Sequence, residues 1–264
     1  MRRRLLGAGV VLGLVLAGTT ACGDDDATTS PGASQAADGP RPLTADEADV
    51  LAAVRVNNYR RELVPFTIDV PLEASRVVLT GRADMREHLA IAGGTSTPVA
   101  GGAPAYATFA WNLTTMAVTD TAAAPTQEQL ALAAEVPQAR WQVHPLAGSR
   151  EALDQVALVL LNLALDRPDN AQLLRQNGAE YRGSTVVDGT DVTIMSASPS
   201  GSAQTLTSYV DDTARLVRVD VATGADRPAT ITFLEGDAST VDPVPAIEAL
   251  GPPPSDEPQA QTPG

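Results

Sequence analysis

The chain has 264 residues, 44% of them hydrophobic and 19% charged, which is material for one packed domain with appended segments. Its 18 basic residues, all arginine, stand against 32 acids for a net charge of −14. The lack of lysine excludes a phosphate-loop Lys, a Schiff base and a lysine general base; the acidity, with no basic stripe, excludes nucleic acid as a partner.

At the N-terminus Arg2, Arg3 and Arg4 precede an apolar run over residues 5–18. Those 14 residues fall short of the ~20 that cross a hydrocarbon core and fit the apolar region of a signal peptide. Thr19, Thr20 and Ala21 follow, then Cys22, the one cysteine of the chain. The order basic, apolar, small, Cys resembles a bacterial lipoprotein signal peptide ending in a lipobox, with Thr19 where that pattern usually has Leu. The resemblance implies that residues 1–21 are removed and that Cys22 becomes an acylated N-terminus. The protein would then sit on the extracytoplasmic face of the cell membrane, held by lipid. Ordinary cleavage after Ala21, leaving a secreted protein with a free thiol, is the alternative. Residues 22–43 are acidic and rich in Pro, Gly and Ser, the composition of a disordered tether. Loss of residues 1–21 leaves 15 arginines against 32 acids, a net charge of −17.

Thr44 with Glu47 three residues on forms a capping box, and Ala48, Leu51, Ala52 and Val54 carry helical spacing after it. "PFTIDVPL" and "SRVVLTGRADMREH" read as strands. In the second, Val77, Leu79, Gly81, Ala83 and Met85 alternate with Arg76, Thr80, Arg82, Asp84 and Arg86, giving one small apolar face and one charged, solvated face. Residues 93–104, "GGTSTPVAGGAP", read as a loop, and "YATFAWNLTTMAV" as a single strand. The stretch from Thr119 to Arg140 is ambiguous between short helix and loop. The clearest helix is residues 149–165, capped by Ser149 and apolar nearly all the way round; "AQLLRQ" then gives a second, closed by Asn177-Gly178. Asp188-Gly189 marks a tight hairpin, "AQTLTSYVDDTARLVRVDV" two strands around "DDTA", and "ATITFLE" another. Residues 247–264 read as a disordered Pro-rich tail.

No G-x-S-x-G, G-x-G-x-x-G or H-E-x-x-H motif occurs, so no catalytic residue, metal ligand or cofactor is assigned, and the chain does not read as an enzyme. A Ser/His/acid cluster in a cleft would change that reading. Arg82, Asp84, Arg86 and His88 share one strand face and read as a solvated ion-paired surface rather than a headgroup site. "NLT" at Asn112 is a chance match to a glycosylation sequon.

"YVDDTARLVRVDV" followed by "ATITFLEGDASTVDPVPAI" resembles the end of the LppX/LprAFG-type lipoproteins of high-GC Gram-positive bacteria, through Tyr209, Asp211, Leu216, Val217, Arg218, Ile231, Phe233 and Pro245. "VVDGTDVTIM" and "VVLTGRADMR" fit as well, and the likeness in element order covers residues 44–246. The family is similar to the LolA/LolB group, so the resemblance implies an α+β fold. Its curved, mostly antiparallel half-barrel sheet would carry helices on the concave side. It also implies an apolar cavity that takes acyl chains of a membrane lipid or lipoglycan, for transport or presentation. Lining residues expected on this basis are Val77, Leu79, Ala83, Met85, Leu158, Leu161, Leu165, Val192, Ile194, Val217, Val219, Ile231 and Phe233. The same residues would equally make an ordinary core. The rival function is an anchored sensor or scaffold that binds an envelope protein, since the regulator RseB has a related half-barrel.

Overall fold

The computed structural model describes residues 39–146, 148–198, 205–236 and 240–249; Cys22, the signal region and the tail from 250 on lie outside them. The first element, β1 (Arg41–Pro42), is a strand of two residues, and Leu43 beside it is buried. Residues expected in the tether are therefore part of the fold. Arg41 explains why: its guanidinium grips both carboxylate oxygens of Glu47 at 2.7 Å and lies over the Tyr181 ring. Glu47 belongs to α1 (Ala45–Arg61), whose capping box forms as expected, with Thr44 Oγ1 accepting from the Glu47 amide and Glu47 accepting from the Thr44 amide.

A meander follows: β2 (Leu63–Pro71), β3 (Ser75–Asp84), β4 (Leu89–Pro98), β5 (Ala105–Trp111), β6 (Thr115–Thr121) and β7 (Gln142–Pro145). Between the last two lie α2 (Gln127–Ala131), with its own capping box from Thr126 and Gln129, and two 3-10 turns. Two helices, α3 (Ala152–Asn162) and α4 (Ala171–Gln176), lead to a second meander. It comprises β8 (Glu180–Val187), β9 (Thr190–Ala197), β10 (Leu206–Val210), β11 (Leu216–Val221) and β12 (Ala229–Phe233). A short α5 (Pro245–Glu248) ends the described chain.

The fold is α+β, and the described residues form one antiparallel sheet of 12 strands in the order β1-β8-β9-β10-β11-β12-β2-β3-β4-β5-β6-β7. Pairing of β12 with β2, from Thr230 opposite Asp69 to Phe233 opposite Phe66, zips the two meanders together. β7 does not meet β1, so the sheet is not closed into a barrel.

One face carries the main core. Val64, Phe66, Ile68 and Val70 alternate along β2 and are fully buried, together with Leu79, Trp111, Val219 and Ile231. α3 packs there through Val156, Ala157, Leu160 and Leu161. Trp111 sets its edge against Phe66, and its indole N–H donates to the Ala157 carbonyl at 3.1 Å, which fixes the height of the helix over the sheet. His88 does the same from the β3–β4 turn: Nδ1 lies 2.9 Å from the Leu161 carbonyl, which can only accept, so Nδ1 carries the proton.

The opposite face departs from expectation. It is not solvated throughout: Ile91, Ala110 and Ala117 are covered by Leu130, Ala133 and Trp141 and by Val241, Val244, Ala246 and Ile247. Arg82, expected on a solvated face, is 4% exposed beneath this layer and donates from Nε to the Thr240 carbonyl. Burial lowers its pKa, partly opposed by Asp242. The boundary expected at 246 falls inside α5, which buries Ile247. Asp84 is the last residue of β3, and Arg86 and His88 lie beyond the strand. Asp84 Oδ1 accepts from the Arg86 and Glu87 amides, closing an Asx turn in which His88 takes a φ of 51°.

Three further elements differ. Residues 93–98 are strand, not loop. A Cβ on Gly94 would meet Phe109 Cε2 at 2.3 Å, so the glycine serves close packing rather than a turn. "YATFAWNLTTMAV" is a hairpin, because Asn112 Oδ1 accepts from the amides of Thr114 and Thr115 and turns the chain. α3 starts at Ala152, with Ser149 donating to Asp154 Oδ2 at 2.6 Å instead of capping the helix.

Candidate functional site

A cleft of about 510 Å³ with leucine and valine walls lies between α1, α3, α4 and the ends of β9 and β10. Leu51 and Val54 of α1 form one wall, Leu158 and Val159 of α3 a second, Leu173 and Leu174 of α4 a third, and Leu206 the sheet side. α3 is apolar on more sides than the core can use, so Leu158 and Val159 are left half-buried at the cleft while Leu160 and Leu161 are sealed beneath.

The connection from α3 to α4 holds the cleft open. It is strapped to α1 by main-chain bonds from Leu165 N–H to the Arg55 carbonyl and from Asp169 N–H to the Ala52 carbonyl. Asn58, fully buried, adds a bond to the Leu163 carbonyl at 2.9 Å. Asn170 then caps α4 by accepting from the Leu173 amide. These bonds fix the connection on α1, and the cleft lies between it, α3 and α4.

Its polar lining consists of Gln155, Asn162, Asn170, Asn177 and Ser208, with Arg55 and Asp169 the two charged members. Arg55 Nη1 reaches Asp169 Oδ1 at 3.1 Å. Arg55 Nε is sealed from solvent and has no hydrogen-bond partner among the described residues.

Of the residues expected to line a cavity, Leu158 is at the cleft. Val77, Leu79, Ala83, Met85, Leu161, Val219, Ile231 and Phe233 are buried members of the main core, with sheet and α3 in direct contact. Val192 is buried and Ile194 half-buried on β9, and Leu165 is half-buried in the connection after α3. Val217 is the extra residue of a β-bulge: Leu216 pairs with Val210 and Arg218 with Tyr209, which takes Val217 out of the alternation of its strand. Of the family-like residues, Tyr209 donates to Asp220, and Arg218 bonds the same carboxylate while lying over the Tyr209 ring. Asp211 accepts from the Thr213 and Arg215 amides and closes the β10–β11 turn.

A second opening, of about 550 Å³, contains a Ser/His/acid cluster. Asp154 stands between the other two: Ser149 Oγ donates to its Oδ2 at 2.6 Å, and His144 Nε2 lies 3.1 Å from its Oδ1. In a hydrolytic triad the imidazole stands between hydroxyl and carboxylate, ready to take the serine proton. Here the carboxylate stands in the middle and takes the hydroxyl's hydrogen bond, so the order differs from that of a triad. The cluster ties β7 to the start of α3. A third groove, of about 440 Å³, crosses the polar sheet face, where Asp69 already grips Arg76 through two bonds. Among the described residues no His, Cys, Asp and Glu side chains group closely enough to hold a metal ion, and no helix is long and apolar enough to cross a membrane.

No protein-family model matches the chain, and no curated protein does. Among solved structures it is similar to an uncharacterized conserved protein from Thermus thermophilus, with 9% identity and a TM-score of 0.36 over 72% of this chain and 87% of the other. A likeness of that size carries no argument about function.

Proposed function

We propose that the protein is a membrane-anchored envelope lipoprotein that binds an acyl chain in the cleft between α1, α3 and α4. The observation that carries the reading is the cleft itself: leucine and valine walls interspersed with seven polar or charged side chains, of a volume inside the ~300–1,000 Å³ of small-molecule sites. In this reading the open sheet is the curved half-barrel of an LppX/LprAFG-type fold, and α1, α3 and α4 lie on its concave side. The site differs from the slot expected between sheet and α3, because that space is solid core and the ligand lies against α1 and α4 instead. The lipobox-like order ending at Cys22 supplies the anchor. Each acyl methylene adds ~0.8 kcal/mol of membrane affinity, so two or more chains hold the protein stably.

Mass spectrometry of the protein taken from the membranes of its own host tests both parts. The denatured mass is expected to equal residues 22–264 plus acyl additions. The native mass is expected to carry a further, non-covalent lipid, lost in Leu158→Trp, where the indole fills the cleft. An unprocessed or unacylated chain removes the anchor. Wild type with an empty cleft removes the acyl-chain reading and favours an anchored module that binds an envelope protein.

A further inference from the structure

Three arginines that bond a carboxylate do so in different ways. Arg41 presents Nη1 and Nη2 to Glu47, each at 2.7 Å. Arg76 presents its Nε and Nη2 edge to Asp69, at 2.8 and 2.6 Å. Arg55, at the cleft, makes one bond through Nη1 at 3.1 Å, and Nε, on its Nε and Nη2 edge, has no hydrogen-bond partner among the described residues. That edge is the planar fork that matches a two-oxygen anion. A buried N–H left unpaired costs about 1–3 kcal/mol, so an unfilled Nε in a lined cleft calls for a missing acceptor.

The surroundings say what kind. Arg55 and Asp169 are the two charged groups of the lining, so the cleft is locally neutral in a chain of net charge −14. An anion is repelled by much of this molecule, and here it meets a guanidinium whose bond to Asp169 is single-point and partly exposed. Behind the guanidinium the walls are Val54, Leu158 and Leu173. A volume of about 510 Å³ is at the scale of one chain, not of a lipid with several.

We infer that Arg55 anchors the head of the ligand, and that the ligand is a single-chain amphiphile ending in a carboxylate, its two oxygens on the Nε and Nη2 edge and its tail along the leucine walls. Nε is sealed from solvent in this structure, so the proposal requires the guanidinium to turn toward the cleft when the ligand enters. This rests on the acyl-chain reading and adds the head group to it.

The test compares decanoate with decanol, which share a tail and differ in the head, by calorimetry on the full-length protein at about pH 8, where the carboxylate is ionised. Wild type is expected to bind decanoate about tenfold tighter than decanol. Arg55→Gln is expected to abolish that preference; Asp169→Asn, which removes the rival charge from the guanidinium, is expected to strengthen decanoate binding several-fold. Equal affinity of wild type for both probes, or a preference that survives in Arg55→Gln, overturns the head-group assignment and leaves the acyl-chain reading standing. A wild type that binds neither probe overturns both.

Discussion

Glu47 is the most heavily engaged carboxylate at the start of the fold. It accepts two bonds from Arg41 and one from the Thr44 amide, and it lies in the first turn of α1, where a negative charge meets the positive end of the helix. The Arg41 bonds are the main cause that holds its pKa at about 2, below the usual 4.5. The unfolded carboxyl takes up its proton near 4.5 and the folded one only near 2, so stability rises with pH between these values. The contribution of Glu47 is complete above 4.5 and fades as pH falls toward 2. Glu47→Gln keeps an oxygen for the Thr44 amide and loses the charge, and it is expected to cost about 1 kcal/mol at neutral pH. Urea unfolding of both proteins from neutrality down to about pH 3 checks this: the gap should narrow below 4.5. A gap that is constant with pH would mean that the Arg41–Glu47 pair is not what lowers the acid.

At the scale of elements, the sequence is legible where one short stretch holds its own instructions. The Thr44 capping box starts α1, and Asp188-Gly189, both with positive φ, turns β8 into β9. Asn177-Gly178 ends α4. It is not legible where a residue serves a distant neighbour. Gly93 and Gly94 look like a loop in sequence, yet they are strand positions that make room for Pro125 and for Phe109. Arg82 looks solvated because the layer that covers it comes from residues far along the chain, at Thr240 and beyond. The cleft was legible only through Leu158, since it is made by strapping the 163–170 connection to α1, and no periodicity encodes such a strap. Gly81 tests the same principle on β3. A Cβ there would stand 2.0 Å from the Ile91 carbonyl oxygen and 2.6 Å from Ala92 Cα, both main-chain atoms of β4 that cannot move aside alone. Gly81→Ala is therefore expected to destabilise the protein by about 3 kcal/mol, at the upper end of overpacking costs. A loss below about 1 kcal/mol in chemical denaturation would show that β4 can shift freely.

For the whole molecule the question is how one open sheet of 12 strands covers two faces with few helices. The main core takes α3 and the cleft helices on one side. The other side divides: near β11, β12 and β2 it is polar and laced with pairs such as Asp69–Arg76 and Asp220–Arg218, which need no cover. Over β4, β5 and β6 it is apolar, and cover must come from α2 and the C-terminal segment. That segment contributes Val241, Val244, Ala246 and Ile247, and Arg82 holds it through the Thr240 carbonyl. Ile247, at 5% exposure, is thus a core residue within three positions of the end of the described chain. Ile247→Ala removes buried methyl and methylene groups, and full truncation of such a side chain costs about 2–5 kcal/mol. The lower end is expected here, about 2 kcal/mol, because a terminal segment can close part of the space left. The urea midpoint should fall with little change in the slope of the transition, since the same surface is exposed on unfolding. An apolar dye should bind the variant more than wild type if the segment lifts before the sheet unfolds, because Ile91, Ala110 and Ala117 would then be bared. An unchanged midpoint would mean that the second layer is not docked on the sheet, and that this face meets its cover elsewhere.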